Sequence, residues 1–269
     1  MSAPLPMRVL AWMRDHQEAM AGLLEDLARC ESPSLDPVSQ RFAFAVLAGE
    51  LRAAGMVVRA LPGHGVGDHL YARPAGRVRG APRQLLIGHM DTVWPLGTVD
   101  EMPVARDDGR LHGPGVFDMK GGLVLMVSAL RALRELEVPT PLVPLVLVNT
   151  DEEIGSRDST RWVAALARCA DRALVLEPPL GPAGRLKTRR KGVARFTVTA
   201  VGRAAHAGVD PERGASAVLE IALQVERLFA LNDPERGVTV NVGTVDGGLR
   251  PNVVAPRATA VVDVRAPTD

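Results

Sequence analysis

The sequence has few aromatic residues, few cysteines and no apolar run long enough to cross a bilayer. Aromatic residues make up 3% of the 269 residues, so the core must consist mostly of Val, Leu and Ala. The two cysteines, Cys30 and Cys169, are far apart and belong to no motif. This spacing favours buried thiols over a disulfide or a metal-binding pair. The lack of a long apolar run argues against a membrane protein.

The chain also has no large excess of positive or negative charge, because its formal net charge is +1. A balanced charge indicates neither a nucleic-acid partner nor a membrane surface. Residues 1–12 contain no long apolar segment followed by a small-residue cleavage site, so we expect no signal peptide and a cytoplasmic location. The apolar fraction of 46% and the charged fraction of 23% are typical of a globular chain. The length allows one large domain or two smaller ones.

Helical and strand patterns alternate over the first two thirds of the chain. Apolar spacing predicts helices at 7–29, 39–54, 121–136 and 158–170. Short apolar runs predict strands at 56–61, 69–72, 144–149 and 173–176, and a central strand that ends at His89. This alternation predicts an α/β fold with a mostly parallel sheet and helices on both faces.

The pattern changes after Gly184. Strands are predicted at 193–201, 238–245 and 258–264, with a helix at 215–231 between the first two. This β-α-β-β order is that of the first part of a ferredoxin-like β-α-β-β-α-β unit. The sequence therefore predicts a second, smaller α+β domain.

Polar residues recur where the predicted strands of the first domain end. His89 and Asp91 close the central strand, Glu152 and Glu153 follow the next one, and Glu177 follows another. Alone, His-x-Asp is more typical of a polar strand end than of a site, and Glu-Glu is more typical of a solvated loop or helix start. Their repetition at one sheet edge, where sites form in α/β folds, favours a functional site.

One imidazole and several carboxylates, with Asp118 in a glycine-rich loop, suit zinc or a harder divalent ion. Two metal ions about 3.5–4 Å apart need a ligand that bridges them, and a carboxylate can do so. A further carboxylate must take a proton from water. Glu152 and Glu153 could divide these tasks, one as a ligand and one as a base.

Several motifs together resemble the M20 family of dinuclear zinc peptidases and amidohydrolases. They are Gly88-His-Met-Asp-Thr-Val93, Gly113-Pro-Gly-Val-Phe-Asp-Met-Lys-Gly-Gly122, Thr150-Asp-Glu-Glu-Ile-Gly-Ser156, Glu177-Pro178, Ala205-His-Ala-Gly208 and Asp263-Val-Arg265. Within the family, Asn149-Thr-Asp-Glu-Glu and Ser156-Arg-Asp-Ser159 are most similar to glutamate carboxypeptidases of the carboxypeptidase G2 type.

The resemblance implies two zinc ions, with Co²⁺ or Mn²⁺ as alternatives. His89 and Glu177 would bind one ion, Glu153 would bind the other, and Asp118 would bridge both. A cis peptide is implied at Asp118–Met119, because members of the family have one after the bridging Asp.

The resemblance also implies catalytic and substrate-binding roles. Glu152 would be the general base, Asp91 would orient His89, and His206 would reach the site of a partner subunit and stabilise the oxyanion. The implied substrate-binding residues, which would contact a carboxylate and the carbonyl region, are Asn252, Arg265 and Arg185.

The implied architecture is a three-layer α/β/α zinc-peptidase domain, residues 1–186, with part of an inserted ferredoxin-like lid and dimerisation domain, residues 187–269. The family pattern needs a further His as a ligand of the second zinc, but no His follows His206. The family's catalytic domain also resumes after the lid. We therefore expect this sequence to be an N-terminal portion of such an enzyme.

The expected activity is hydrolysis of an amide bond next to a carboxylate-bearing residue, in a small peptide or N-acyl amino acid, by a homodimer. An N-acyl amino acid deacylase or a desuccinylase is an alternative within the family. An inactive fragment that retains the dimerisation surface is an alternative from another class. His16, His64 and His69 have no motif around them and are expected on the surface.

Overall fold

The computed structural model describes residues 4–76, 80–181 and 183–267, and the chain divides into two compact units between Pro178 and Pro179. The sequence places the domain boundary later, after residue 186. The helices of the first unit are α1 (Leu5–Asp15), α2 (Gln17–Arg29), α3 (Pro37–Ala53), α4 (Thr98–Glu101), α5 (Gly121–Glu135) and α6 (Thr160–Ala167). Its strands are β1 (Met56–Leu61), β2 (His69–Pro74), β3 (Arg83–His89), β4 (Ala105–Asp107), β5 (Arg110–His112), β6 (Val143–Asn149) and β7 (Arg172–Val175).

The main sheet of the first unit has the strand order β1-β2-β6-β3-β7. Strand β3 pairs in parallel with both β6 and β7, whereas β2 pairs antiparallel with β6 and β1. Only β2 therefore runs against the other strands of this sheet, and the predicted mostly parallel sheet is confirmed. The carboxyl ends of β3, β6 and β7 consequently lie at one edge.

Both faces of the central strands are covered by helices, because side chains alternate in direction along a strand. Leu86 and Val146 pack with apolar residues of α2, α3 and α5 on one face. Leu85 and Leu147 pack with Trp162 and its neighbours in α6 on the other face. This arrangement confirms the predicted three layers and explains why these strands read as continuous apolar runs.

The first predicted helix is in fact two helices, α1 and α2, which are separated at His16. The backbone at His16 leaves helical geometry, its ring stacks on Trp12, and its Nδ1 lies 2.8 Å from the Trp12 carbonyl oxygen. This local side-chain interaction ends α1, and apolar spacing alone did not reveal it. Helix α3 begins two residues earlier than predicted because Asp36 caps it ahead of Pro37.

Two short features lie between β3 and α5 where a loop was expected, namely α4 and a hairpin of β4 and β5. Helix α6 is shorter than predicted, because the amides of Asp158 and Ser159 donate to the Asp151 carboxylate before the helix starts. None of the helices in the described part of the chain has the length and hydropathy needed to cross a bilayer.

The second unit contains β8 (Gly192–Val201), α7 (Ala217–Phe229), β9 (Thr239–Gly247) and β10 (Arg257–Ala266). The three strands form an antiparallel sheet in the order β8-β10-β9. Ala217 and Ile221 of α7 pack on Ala258 and Ala260 of β10 to form its core. The predicted β-α-β-β order is confirmed, and the role of this unit as a lid stays a prediction.

Candidate metal centre

The candidate ligands of the first unit lie at the edge where the parallel strands end. His89 is the last residue of β3 and pairs in register with Asn149, the last residue of β6. Glu152 and Glu153 follow β6, and Glu177 follows β7 by two residues. The structure thus brings together residues that are distant in sequence, as the recurring strand-end pattern predicted.

Three carboxylates surround one nitrogen of the buried His89 imidazole, which is 1% exposed. His89 Nε2 lies 3.2 Å from Asp118 Oδ1 and 3.4 Å from Glu177 Oε1. Glu152 Oε2 is further away, at 4.0 Å. The other ring nitrogen, Nδ1, is 2.9 Å from the main-chain oxygen of Asp91, so Nε2 is the atom directed at the carboxylates.

Asp118 belongs to a glycine-rich loop that leads into α5. Gly115 in this loop has a φ of 69°, and a Cβ there would lie only 2.5 Å from Thr92 Cγ2. A glycine is therefore needed for both conformation and space. The peptide bond between Asp118 and Met119 is cis, which confirms the prediction. The loop places the Asp118 carboxylate beside His89 while leaving its side chain 56% exposed.

The Asp91 carboxylate is buried and accepts three hydrogen bonds from two other segments. The amides of Glu152 and Glu153 donate to its two oxygens at 3.2 and 3.1 Å. The hydroxyl of Ser34 donates to Oδ2 at 2.7 Å. Asp91 Oδ1 also lies 3.4 Å from His89 Nδ1. Asp91 therefore connects the imidazole to the turn that carries both glutamates.

Burial, with the crowding of acids as a smaller cause, changes the proton affinity of the carboxyl groups. Burial raises the pKa of Glu153 to about 7; the charge of His89 opposes the shift and nearby carboxylates support it. Burial is also the largest cause of the raised pKa of Glu152 and of Asp118. These carboxyl groups share too little positive charge to ionise freely.

His89 is the only cation-forming side chain among them. Burial by itself lowers the pKa of His89, but hydrogen bonds and attraction from Asp91 and Glu177 outweigh it and raise the pKa to about 11. A proton is thus strongly held at the point where the carboxylates converge.

The donor atoms fit one or two divalent cations. Among the described residues, two sets have ligand atoms within 4.8 Å of one another: His89 with Glu152 and Glu177, and His89 with Asp118 and Glu153. Imidazole nitrogen and carboxylate oxygen are ligands of zinc and of similar ions. A cation here would replace the proton on His89 and neutralise the excess acid, so the residues present suit a metal centre.

Two buried residues beside the site had no predicted role. Ser34 donates to Asp91 as described, and Lys120 donates from Nζ to the Cys30 carbonyl oxygen at 2.9 Å. Burial lowers the pKa of Lys120 to about 8. The sequence signals were a Ser-Pro-Ser after a helix and a Lys before two glycines, and neither pattern indicates burial.

His69 is a correction, because it was expected on the surface and is fully buried. Its Nε2 lies 2.9 Å from Asp158 Oδ2, and its Nδ1 lies 3.0 Å from the Thr150 hydroxyl. Asp158 also contacts His64 at 3.1 Å and Arg161 at 3.2 Å. The position of His69 at the start of β2 did not distinguish a buried histidine from an exposed one.

The remaining predicted residues lie in the second unit and are exposed. His206 and Asn252 lie on adjacent backbone segments, where the amide of Ala207 donates to the Asn252 carbonyl oxygen. Arg265 lies on β10 and donates from Nε to Asp263 at 3.0 Å. Arg185 closes a turn opposite Leu180. Within this unit the structure brings His206 and Asn252 together.

The sequence is similar to a known family and to named proteins. The model of the family "Peptidase family M20/M25/M40" matches residues 85–254. The chain is 32% identical over 253 residues to carboxypeptidase G2 of Pseudomonas sp. (strain RS-16). This match covers 93% of the chain and 60% of that protein. It is 30% identical over 265 residues to succinyl-diaminopimelate desuccinylase of Rhodospirillum centenum. That match covers 90% of the chain and 66% of the relative.

The fold is similar to that of solved structures. The aminopeptidase PepT from Bacillus cereus superposes with a TM-score of 0.72 at 22% identity, over 94% of this chain and 67% of that one. At this identity the likeness concerns the fold alone. The chain thus spans about two thirds or less of the length of the proteins compared here.

Proposed function

This chain belongs to the peptidase family M20/M25/M40, and we propose from that premise that it carries the metal centre of an amide hydrolase. The substrate would be a small peptide or N-acyl amino acid, cleaved next to a carboxylate-bearing residue. The convergence of Asp118, Glu152 and Glu177 on one buried nitrogen of His89 is the observation that carries the proposal.

Four residues of the first unit would hold two zinc ions. His89, Asp118 and Glu177 would bind the first ion, and Asp118 and Glu153 would contribute to the second. The same donors would accept Co²⁺ or Mn²⁺. Lewis acidity toward a substrate carbonyl and toward a water molecule is the chemistry that such ions supply when bound.

Glu152 would act as the general base. Its carboxylate is the furthest of the three from His89 Nε2 and is 46% exposed, so it remains available to a water molecule. Burial raises its pKa, against the effect of His89 and with the support of Glu177, which brings it nearer to the operating pH. Glu152 would accept a proton from the attacking water and pass it to the leaving nitrogen.

Asp91 would hold this arrangement in place without touching the substrate. It accepts hydrogen bonds from the amides of Glu152 and Glu153 and lies against His89 Nδ1. A partner on the far nitrogen of a ligating imidazole fixes the tautomer and orients the ring. Asp91 would therefore align the imidazole with both glutamates.

Residues of the second unit would stabilise the oxyanion and bind substrate. We assign His206 to oxyanion stabilisation in the site of a partner subunit, within a homodimer formed through this unit. Asn252, Arg265 and Arg185 would bind the carbonyl region and carboxylate of the substrate. A planar guanidinium suits a carboxylate because two N–H groups bind both oxygens.

A panel of N-acyl amino acids tests the proposal. The zinc-loaded chain should hydrolyse N-acyl glutamates to the acyl acid and free glutamate, or dipeptides to free amino acids. It should lose this activity in a chelator and regain it when zinc is returned. If the chain binds zinc but hydrolyses no member of the panel, this result would contradict the proposed activity for this chain.

A deacylase or desuccinylase is the second candidate, favoured by the 30% identity to a succinyl-diaminopimelate desuccinylase. Faster hydrolysis of N-succinyl or N-acetyl diamino acids than of N-acyl glutamates in the same panel would favour this candidate.

A further inference from the structure

A short segment between α2 and α3, residues 31–34, contacts the loops that carry the candidate ligands. The Ser32 hydroxyl donates to the Met90 carbonyl oxygen at 2.6 Å, and the Ser32 carbonyl oxygen accepts from the Thr92 amide. The Glu31 carboxylate accepts from the amides of Gly97 and Val99. The segment is thus hydrogen-bonded to the residues on both sides of Asp91.

Ser34 is the residue of this segment that reaches the site itself. Its side chain is buried, and its hydroxyl donates to Asp91 Oδ2 at 2.7 Å, the shortest of the three hydrogen bonds to that carboxylate. Hydrogen bonds to an ionised acceptor are stronger than neutral ones. The same Oδ2 accepts from the Glu153 amide, so Ser34 and Glu153 are joined through one oxygen atom.

The backbone of Ser34 is fixed independently of its side chain. Gln40 donates from Nε2 to the carbonyl oxygens of Pro33 and Ser34, at 3.1 and 3.3 Å, and to that of Thr150 at 2.9 Å. Thr150 lies two residues before Glu152. The hydroxyl of Ser34 is therefore held by backbone that is itself tied to the loop of the glutamates.

We infer that Ser34 is a positioning residue of the metal centre, which acts through Asp91 to fix His89 and the turn that presents Glu152 and Glu153. The inference rests on the proposed function, since it concerns how these residues bind metal. Asp91 is buried, and a buried carboxylate that loses a hydrogen-bond donor must reorient or admit water. Either change would move Oδ1 relative to His89 and Oδ2 relative to Glu153.

The test is zinc affinity, measured with the full 269-residue chain by competition with a chromophoric chelator. Removal of partners outside the ligand set typically weakens metal binding by 10–100-fold, and we expect about tenfold for Ser34→Ala because it acts through one further residue. Ser34→Thr, which keeps the hydroxyl, should retain most of the affinity. Ser34→Cys, with a weaker donor of similar shape, should fall between them.

Ser32→Ala is the matched control, because it removes a hydroxyl that is equally buried in the same segment but that binds a main-chain oxygen. It should lower the thermal unfolding temperature without the loss of zinc affinity seen in Ser34→Ala. The visible absorption of bound Co²⁺, which reports coordination geometry, should change in Ser34→Ala and stay unchanged in Ser32→Ala.

Three outcomes would count against the inference. Equal zinc affinity in the wild type and Ser34→Ala would overturn it and leave the proposed function intact. Equal losses in Ser34→Ala and Ser32→Ala would assign the effect to the segment as a whole and overturn the role of the hydroxyl. If the wild-type chain binds no zinc, the proposed function fails, and the inference fails with it.

Discussion

The first unit contains two clusters of histidine and carboxylate that differ in their balance of charge. The His89 cluster is defined by His89, Asp118, Glu152, Glu153 and Glu177. The Asp158 cluster is defined by Asp158, His64, His69 and Arg161. In the first, several acids surround one imidazole; in the second, two imidazoles and a guanidinium surround one acid.

The pKa shifts follow this difference. Burial alone raises the pKa of Asp158, but hydrogen bonds from His69 and His64 and the charge of Arg161 lower it overall. Burial raises the pKa of Glu152 and Glu153, and neighbouring acids add to it. The Asp158 carboxylate thus has enough hydrogen-bond donors and positive charge around it, whereas the acids of the His89 cluster outnumber its one imidazole. An uncompensated excess of acid, rather than the presence of histidine, indicates the metal centre.

Glu152→Gln should have the largest effect on activity within the His89 cluster. The amide cannot accept a proton, so kcat should fall by about 10²–10⁴-fold while the zinc content stays unchanged. Steady-state kinetics with elemental analysis would measure both. Asp158→Asn is the control and should leave kcat within a small factor; unchanged turnover in Glu152→Gln would remove the assigned base.

His69→Ala should affect the Asp158 cluster alone, through stability. The substitution removes a fully buried ring that bridges Thr150 and Asp158, and polar groups left without a partner cost about 1–3 kcal/mol. Urea unfolding in chelator should show the loss, and His69→Gln should recover part of it. A loss of zinc affinity in His69→Ala would contradict the separation of the two clusters.

Stability of the metal-free protein should fall as the pH rises, because of the His89 cluster. Glu153 has a pKa raised from 4.5 to about 7, and His89 has one raised from 6.5 to about 11. Between each pair of values the folded chain holds a proton that the unfolded chain has released, so rising pH favours unfolding. This stabilisation is complete below the unfolded pKa and is lost once the pH passes the folded pKa.

Thermal unfolding in chelator from pH 5 to pH 10 would test this expectation. Glu153→Gln should flatten the curve up to about pH 7, and His89→Gln should flatten it above. Added zinc should reverse the trend, because deprotonated ligands bind metal more strongly. If stability depends on pH in the same way in the wild type and both variants, Glu153 and His89 are excluded as the source of that dependence.

His64→Ala should have the smallest effect. The His64 side chain is 69% exposed, and surface ion pairs contribute about 0–1 kcal/mol. Urea unfolding should show little change in stability, and added salt should reduce the small contribution of His64. A loss of stability as large as that of His69→Ala would show that the exposed His64 contributes as much to the Asp158 cluster as the buried His69.

The strand ends of the first unit were predictable from sequence, and so was their meeting at one edge. Continuous apolar runs such as 85–88 indicate buried parallel strands, and parallel strands end on the same side. His89, Glu152 and Glu177 were found in this way. Their convergence needed only the period of a strand and the direction of the sheet.

The support of the site was not predictable in the same way. Ser34 reaches Asp91 across 57 residues, and Lys120 reaches Cys30 across 90, so no local pattern reveals either contact. His69 and Asp158 are likewise joined only by tertiary structure. The break at His16 depends on a ring that binds its own helix, which apolar periodicity does not describe.

The assignment of the His89 cluster as a metal centre can be tested by zinc titration of the wild type, His89→Ala and His69→Ala. We expect one tightly held zinc and a second, weaker one in the wild type and in His69→Ala, and no tight zinc in His89→Ala. Absence of chelator-resistant zinc in the wild type, or equal binding in His89→Ala, would contradict the assignment of the His89 cluster as a metal centre.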